Sequence, residues 1–80
     1  MASLEQILAD IAKALVDKPD EVEVVVTEED ESSVTLQLSV SAEDMGRVIG
    51  RQGRIAKEIR TLIKAMGLRD DKRVMVDILD

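Results

Sequence analysis

The sequence predicts an α+β fold in which three β-strands form one mixed sheet and helices pack on one of its faces. Apolar residues recur at helical spacing in some segments and alternate with polar residues in others, in the order α-β-β-α-α-β. Two helices separate the second strand from the third, which leaves enough chain for a parallel crossover. Without a repeat or an interdomain linker, residues 1–80 are predicted to form a single domain.

The first helix is predicted over about 3–17. Ser3 is a suitable N-cap, and Gln6, three residues later, would complete a capping box. Apolar residues then follow helical spacing until Pro19, which cannot continue a helix.

Three segments alternate apolar with polar residues and are predicted strands, at about 21–27, 34–40 and 73–79. Because side chains alternate between the faces of a sheet, the apolar positions should face the helices and the polar positions should leave the other face solvated. The predicted inward residues are Val22, Val24, Val26, Val34, Leu36, Leu38, Val40, Val74, Val76 and Ile78.

A helix–turn–helix is predicted at about 42–66. Ser41 with Asp44 would make a second capping box, which opens a short helix. The longer helix follows a glycine-containing turn, and Gly67 is its predicted left-handed C-cap, with Leu68 packing back. The inward stripe of the longer helix is predicted to be Ile55, Ile59, Leu62, Ile63 and Met66.

The composition and the motifs exclude several kinds of chemistry. The chain has no cysteine and no histidine, so it lacks a thiolate metal site and the commonest general base. The phosphate-binding loop of nucleotide hydrolases, G-x-x-x-x-G-K-[ST], does not occur, and neither does the dinucleotide-binding motif G-x-G-x-x-G. We therefore predict no enzyme, no catalytic residue, no metal site and no cofactor. Since no apolar stretch approaches the roughly 18 residues that span a bilayer, we expect a cytoplasmic protein without membrane contact.

The charge of the chain is unevenly distributed. The net charge is −6, but residues 1–46 carry −10, residues 47–64 carry +5 and residues 65–80 carry −1. The positive surplus is thus confined to the segment that contains the glycine turn.

That turn is a G-x-x-G motif, Gly50 and Gly53 within "VIGRQGR", residues 48–54. By itself the motif is equally typical of a tight corner between two helices. Its position favours a role in phosphate binding, because the N-terminus of the longer helix follows it, and helix N-termini attract anions. Two glycines would also let a phosphate backbone approach the main chain closely.

The segment "GRVIGRQGRIAKEIR", in an α-β-β-α-α-β order, resembles a KH domain of the bacterial type II, and the resemblance covers the whole chain. More narrowly, the chain is similar to the KhpA family of small stand-alone bacterial RNA-binding proteins. The resemblance implies that the loop clamps the backbone of about four nucleotides of single-stranded RNA, as in an RNA chaperone or a post-transcriptional regulator. The implied RNA-binding residues are Gly50, Arg51, Gln52 and Gly53 in the clamp, Val48 and Ile49 in the floor of a groove for the bases, and Arg47, Arg54 and Lys57 around them.

Two alternatives stay open at this point. Single-stranded DNA fits the same clamp, since a backbone clamp does not by itself require the 2′-hydroxyl. A protein-interaction module also fits the fold, and the resemblance implies pairing with a second copy or with a Jag-type KH protein. A dimer would use helices near the loop, where Ala65 and Met66 would extend an apolar strip. Arg51 favours RNA binding, because an acidic residue there would repel phosphate.

Two charged surfaces complete the predictions. The acidic segment 28–33 is expected to lie beside the RNA groove and to weaken binding by repulsion. On the longer helix, one side is expected to be a solvated face, an extension of the phosphate track or a protein contact. Its residues are Lys57, Arg60, Thr61 and Lys64.

Overall fold

The structure is a computed structural model that describes residues 3–79, so residues 1, 2 and 80 of the predicted domain lie outside the described residues. Within 3–79 the elements follow the order α-β-β-α-α-β, and this prediction is confirmed. The helices and strands are α1 Leu4–Leu15, β1 Glu23–Glu29, β2 Ser33–Ser39, α2 Met45–Ile49, α3 Arg54–Arg69 and β3 Arg73–Ile78.

The sheet is mixed, as predicted. β2 is the central strand, antiparallel to β1 and parallel to β3. The register places Leu36 of β2 between Val26 of β1 and Val76 of β3. Parallel neighbours require a long crossover, and α2 with α3 provides it.

The core lies between one face of the sheet and the helices. Leu36 of β2, Leu8 of α1 and Ile63 of α3 are buried in one cluster. Complete burial of a side chain of this size stabilises a fold by about 1.5–3 kcal/mol. The other face of the sheet is solvated, as predicted, with Val25 41% and Met75 50% exposed.

The helix α1 begins at the predicted cap but ends early. Ser3 Oγ accepts a hydrogen bond from Gln6 N–H at 3.2 Å. The reciprocal half of the predicted capping box is replaced, because the Gln6 side chain donates to Asp10 instead. The helix ends at Leu15, and Pro19 opens a separate 3-10 turn.

The hairpin turn is shorter than predicted. Strand β1 extends two residues beyond 27, so the polar segment 28–33 narrows to a turn at 30–32. The Asp30 carboxylate closes this turn by accepting hydrogen bonds from the backbone N–H groups of Ser32 and Ser33, each at 2.8 Å. These bonds hold the pKa of Asp30 below its ordinary 3.8.

The predicted C-cap of the longer helix is wrong. Helix α3 continues through Gly67 to Arg69. Asp71, with φ of 57°, takes the left-handed position instead. Lys72 N–H donates to the carbonyl of Gly67 at 2.8 Å, and Asp71 N–H donates to that of Leu68 at 3.1 Å. This is a Schellman motif with aspartate where glycine is usual.

Gly67 instead allows α3 and β3 to pack closely against each other. It is buried where α3 crosses β3, and a Cβ there would collide with the side chain of Val74. Leu68 and Leu62 also differ from the prediction, since they are 69% and 49% exposed. The buried face of α3 consists of Ala56, Ile59, Ile63 and Gly67.

Candidate nucleic-acid interface

The glycine loop leaves α2 through a backbone conformation that only glycine adopts readily. Gly50 has φ of 75° and ψ of 175°, a region that costs other residues about 1–3 kcal/mol. A Cβ at Gly50 would also lie 2.6 Å from Cγ1 of Ile55. Glycine is therefore required at this position for two independent reasons, and α2 and α3 meet tightly across it.

The next residues form a left-handed turn that projects the loop outward. Gln52 has φ of 59° and Gly53 has φ of 74°. Gly53 N–H donates to the carbonyl of Gly50 at 3.2 Å. Nothing would crowd a Cβ on Gly53, so the requirement there is for the backbone angle alone. Arg51 and Gln52 are both exposed at the tip of this turn.

The N-terminus of α3 faces the same turn. Its N-cap is Gly53, which offers no side-chain acceptor, and its first turn has no acidic residue. The positive end of the helix dipole is therefore not neutralised by a side chain. A depression of about 410 Å³ opens at this point, lined by Arg51, Gln52, Arg54 and Ile55.

The structure brings most of the predicted binding residues together. Arg51, Gln52, Arg54 and Lys57 are exposed on the loop and the first turn of α3. Gly50 and Gly53 flank Arg51 and Gln52, and Ile49, just before Gly50, is half-buried.

Val48 does not fit the predicted position in the groove floor. Its side chain is completely buried, because Val48 lies on the inward side of the five-residue helix α2. It supports the loop from below and offers no surface to a base.

Arg47 points away from the loop. Its guanidinium Nη2 lies 3.0 Å from Oδ2 of Asp17, in the segment that joins α1 to β1. Its Nε lies 3.8 Å from Oδ1 of Asp44. The side chain is 55% exposed, so this ion pair is partly solvated.

Asp44 is a residue whose importance sequence reasoning missed. It is only 2% exposed, and its carboxylate accepts hydrogen bonds from Asp17 N–H, Lys18 N–H and Ser41 Oγ at 3.0–3.1 Å. The Ser41–Asp44 pair was predicted as a cap within its own turn. The S-A-E-D pattern could signal a cap, but not that the carboxylate would reach a segment 26 or 27 residues earlier.

These contacts shift the acidity of Asp44. Burial acts to raise its pKa, but the hydrogen bonds from Asp17 N–H, Ser41 and Lys18 N–H, together with the charge of Arg47, outweigh it. The pKa of Asp44 therefore lies below its ordinary 3.8, and the carboxylate is ionised at neutral pH.

The basic side of α3 is only partly a solvated face. Lys57, Thr61 and Lys64 are exposed, as expected. Arg60 is half-buried, and its Nε donates to the carbonyl of Val76 at 3.1 Å. Val76 lies in the edge strand β3, so Arg60 covers a carbonyl that strand pairing leaves free.

The acidic segment does not lie beside the loop, and that expectation is wrong. Lys72, just beyond the C-terminus of α3, donates to Glu29 Oε2 at 3.3 Å and to the carbonyl of Asp30 at 3.0 Å. The hairpin turn therefore lies at the C-terminal end of α3, whereas the glycine loop lies at its N-terminus. The 16 residues of α3 separate these ends by about 24 Å at a helical rise of 1.5 Å per residue.

Two negative findings concern residues 3–79. No helix among them is both long enough and apolar enough to span a membrane. No group of three or more acidic side chains in the same part of the chain is arranged to hold a metal ion.

Comparison with known proteins identifies close relatives of nearly the same length. The family described as KhpA/KhpB, KH domain matches residues 5–78. The RNA-binding protein KhpA of Listeria monocytogenes is 52% identical over 77 residues, which cover 96% of this chain and all of that protein. The KhpA of Clostridium acetobutylicum is 55% identical over 76 residues, 95% of this chain and all of the relative. The KhpA of Bacillus subtilis is 44% identical over 77 residues, 96% of this chain and 94% of the relative.

Solved structures show the same fold within a larger protein. A crystal structure of Aquifex aeolicus Era bound to GDP.AlF4- matches with a TM-score of 0.66 at 17% identity, covering 94% of this chain and 29% of Era. Era in complex with MgGDPNP and nucleotides 1506-1542 of 16S ribosomal RNA matches with a TM-score of 0.65 at 19% identity, covering 94% of this chain and 28% of that one. The chain thus spans less than a third of these proteins, and at such identities the likeness concerns the fold alone. The family match over residues 5–78 and the relatives at about half identity lead to one conclusion: this chain is a KH-domain protein of the KhpA/KhpB family.

Proposed function

We propose that this chain is a cytoplasmic RNA-binding protein that holds the backbone of about four single-stranded nucleotides on the loop Gly50–Gly53, as an RNA chaperone or post-transcriptional regulator. The observation that carries the proposal is the geometry of that loop, which is open to close approach at Gly53 and is followed by a helix N-terminus without a side-chain cap. The relatives, each named as an RNA-binding protein, support it. They form a class without catalytic activity, and the chain is not an enzyme.

The loop would bind phosphate through three features of the same surface. Gly53 places no side chain between the ligand and the main chain, since the space around its Cα is open, and Gly50 provides the sharp turn that leads into the loop. Arg51 and Arg54 supply charge, and Gln52 supplies a neutral hydrogen-bond donor. The dipole of α3 adds a fixed positive potential at this end. The exposed side chain of Lys57 lies one turn farther along α3.

The bases would be held less specifically than the backbone. Because the chain has no Phe, Tyr or Trp, it has no aromatic ring on which a base could stack. The exposed part of Ile49 offers an aliphatic surface instead. We therefore expect modest affinity that is dominated by phosphate contacts and depends on salt.

The decisive experiment replaces both exposed residues of the loop by Arg51→Asp with Gln52→Asp. The variant should lose binding to a fluorescent single-stranded RNA while remaining folded by circular dichroism, since Gln52 is exposed and aspartate tolerates a positive φ. The matched control is Lys13→Asp with Ala14→Asp, two adjacent exposed residues of α1 that change the net charge equally. Equal affinity in the two variants would refute the proposal.

Salt dependence gives a second measurement on the wild-type chain. If about three phosphates are neutralised, the logarithm of the binding constant should fall with the logarithm of salt concentration with a slope near −2. A competing single-stranded DNA of the same sequence separates an RNA preference from a general backbone preference.

A second candidate function, self-association or docking on a KH partner such as a Jag-type protein, is favoured by the outer face of α3. Leu62 is 49% exposed there, and with Ala65 it supplies the apolar part of a depression of about 540 Å³. Met66, which was expected to extend this strip, is half-buried. An exposed apolar strip of this kind is a common feature of interaction surfaces.

Sedimentation of the wild-type chain and of Leu62→Gln tests this candidate. A dimer at micromolar concentration that the substitution weakens is the expected result. A monomer at every concentration up to about 100 μM would rule out self-association with a Kd below about 100 μM, which corresponds to a binding free energy of about 5.5 kcal/mol.

A further inference from the structure

The helix α2, which carries the glycine loop, is tied to the segment between α1 and β1 by a set of polar contacts that we call the α1–α2 junction. It comprises residues 17 and 18 on one side and residues 43–47 on the other. The Asp44 carboxylate accepts hydrogen bonds from Asp17 N–H and Lys18 N–H. Lys18 Nζ lies 3.1 Å from Oε1 of Glu43, and Arg47 Nη2 lies 3.0 Å from Oδ2 of Asp17.

Asp44 is the centre of this junction. Among residues 3–79 the buried polar side chains are Ser41 and Asp44, and Ser41 donates to Asp44. A buried carboxylate is tolerated only when its hydrogen-bonding capacity is filled. Within the described residues no buried side-chain polar atom lacks a partner. The site is therefore a completed anchor between two segments distant in the sequence.

The anchor matters because α2 is too short to hold its own position. It has five residues, and isolated helices of that length are not stable in water. Its C-terminal residue, Ile49, is followed at once by Gly50. A shift or rotation of α2 would therefore move the glycine loop relative to the N-terminus of α3.

Arg47 belongs to the junction by its geometry. Its guanidinium reaches back to Asp17 and Asp44, on the α1 side of α2, whereas Arg51 and Arg54 line the depression at the loop. The basic residues near the loop thus fall into two groups with different surroundings.

We propose that Asp44 and Arg47 are positioning residues for the RNA-binding loop: they hold α2 against the α1–β1 segment, and Arg47 makes no phosphate contact of its own. This inference rests on the proposed function. Asp44 acts as the buried anchor, and Arg47 neutralises the two carboxylates that converge on it.

The first test separates a positioning arginine from a phosphate ligand by salt dependence. RNA affinity is measured at several salt concentrations for wild type, Arg47→Gln and Arg51→Gln. In Arg51→Gln the slope should become less negative by about 0.7, the value for one lost phosphate contact on a single strand. In Arg47→Gln the affinity should fall about two- to fivefold, while the slope stays at the wild-type value.

The second test separates positioning from loss of stability. Asp44→Asn turns one acceptor oxygen into a donor that faces N–H and O–H donors, and the anchor is lost. The matched control is Val34→Ala, a buried substitution in β2 next to the hairpin turn at the opposite end of α3. At a temperature where both variants are folded by circular dichroism, Asp44→Asn should bind RNA about tenfold more weakly, because its binding-competent fraction falls. Val34→Ala should bind within about twofold of wild type.

The outcomes are distinguishable. A slope that changes in Arg47→Gln as it does in Arg51→Gln, or an unchanged affinity in Arg47→Gln, overturns the inference while leaving the proposed function intact. Equal weakening in Asp44→Asn and Val34→Ala also overturns it. If Arg51→Gln has no effect on slope or affinity, the proposed function itself fails. Should Asp44→Asn not fold, the comparison of the two arginines decides alone.

Discussion

The four glycines of this chain are not equivalent, and the pair at either end of α2 shows the difference most sharply. Gly46 lies in α2 with open space where a Cβ would be, whereas Gly50 combines a positive φ with a close approach to Ile55. The same residue type is thus replaceable at one end of a short helix and required at the other.

Gly50→Ala should lower the free energy of unfolding by about 2–4 kcal/mol, because backbone strain and a collision with Ile55 add to each other. Gly46→Ala is the control and should raise it by about 0.5–1 kcal/mol, since alanine is the better helix former. Urea unfolding followed by circular dichroism measures both. Similar values for the two variants would mean that the loop tolerates a side chain at Gly50.

A second prediction at the residue scale concerns acid. Since the pKa of Asp44 is lower in the folded chain than its ordinary 3.8, the ionised form stabilises the fold. This contribution is complete above the unfolded-state pKa and is lost as pH falls through the folded one. Thermal unfolding from pH 6 to pH 2 should show a fall in Tm below about pH 4.

The same titration in Asp44→Asn isolates the effect. This variant should melt lower than wild type at pH 6, and the difference should shrink as the pH falls below about 4, because acid progressively protonates wild-type Asp44 and removes its contribution. The Asp30 carboxylate, whose pKa is lowered as well, remains in both proteins and accounts for residual pH dependence. A difference in Tm that does not change with pH would contradict the assignment to Asp44.

At the scale of elements, α3 shows how packing overrides a local signal. Gly67 is a good helix terminator by propensity, but it lies inside α3 at the point where that helix crosses β3. A helix can approach a strand closely only where a side chain is absent, and this use of glycine prevails over its use as a cap. The helix continues three residues beyond its predicted end at 66, nearly one turn, and ends at Arg69.

Gly67→Ala should therefore destabilise the fold by about 1–3 kcal/mol through overpacking against Val74, despite the better helix propensity of alanine. Combining it with Val74→Ala should relieve part of the collision. The double variant is expected to lose at least about 1 kcal/mol less than the sum of the single variants. Additive losses in urea unfolding would show that the two residues do not interact.

At the scale of the whole molecule, charge is segregated along the length of α3. The glycine loop lies at one end of this helix and the acidic hairpin turn lies at the other, next to Lys72. About 24 Å of helix is roughly three Debye lengths at physiological salt. A negative net charge is therefore compatible with a positive local potential at the loop.

Neutralising the acidic turn should leave RNA binding unchanged. Glu28→Gln with Glu31→Gln removes two exposed charges without touching the Asp30 cap or the ion pair of Lys72. We expect less than about a 1.5-fold change in Kd at 0.15 M salt, because the interaction is screened over this distance. A severalfold gain in affinity would mean that the bound RNA extends along α3 to the far end of the molecule.

Much of the architecture and part of the candidate site could be predicted from local patterns. Alternation in β2 predicted that Val34, Leu36 and Leu38 are buried, and they are. When one face of a strand packs on the core and the other is solvated, the face that carries the apolar residues must turn towards the core. The mixed sheet followed from the length of the crossover. The two glycines, with Arg51 and Gln52 between them, were evident from their order along the chain.

Residue contacts between distant segments could not be predicted in this way. Nothing near Asp44 in the sequence indicates that its carboxylate accepts hydrogen bonds from residues 17 and 18. The direction of Arg47 depends on the same contact. The family resemblance implies a groove position for Val48, whereas its complete burial depends on how α2 is rotated against the core.

The sequence by itself determined the order of elements, the buried strand faces and the presence of a glycine loop ahead of a basic helix. These properties follow from periodicity and from backbone preferences that act over a few residues. Only the tertiary structure decided where α3 ends, which basic residues surround the loop and which are paired with Asp17, and how far the acidic turn lies from the loop. Such properties depend on which distant parts of the chain come into contact in the folded protein. Local patterns of residues do not specify individual contacts of that kind.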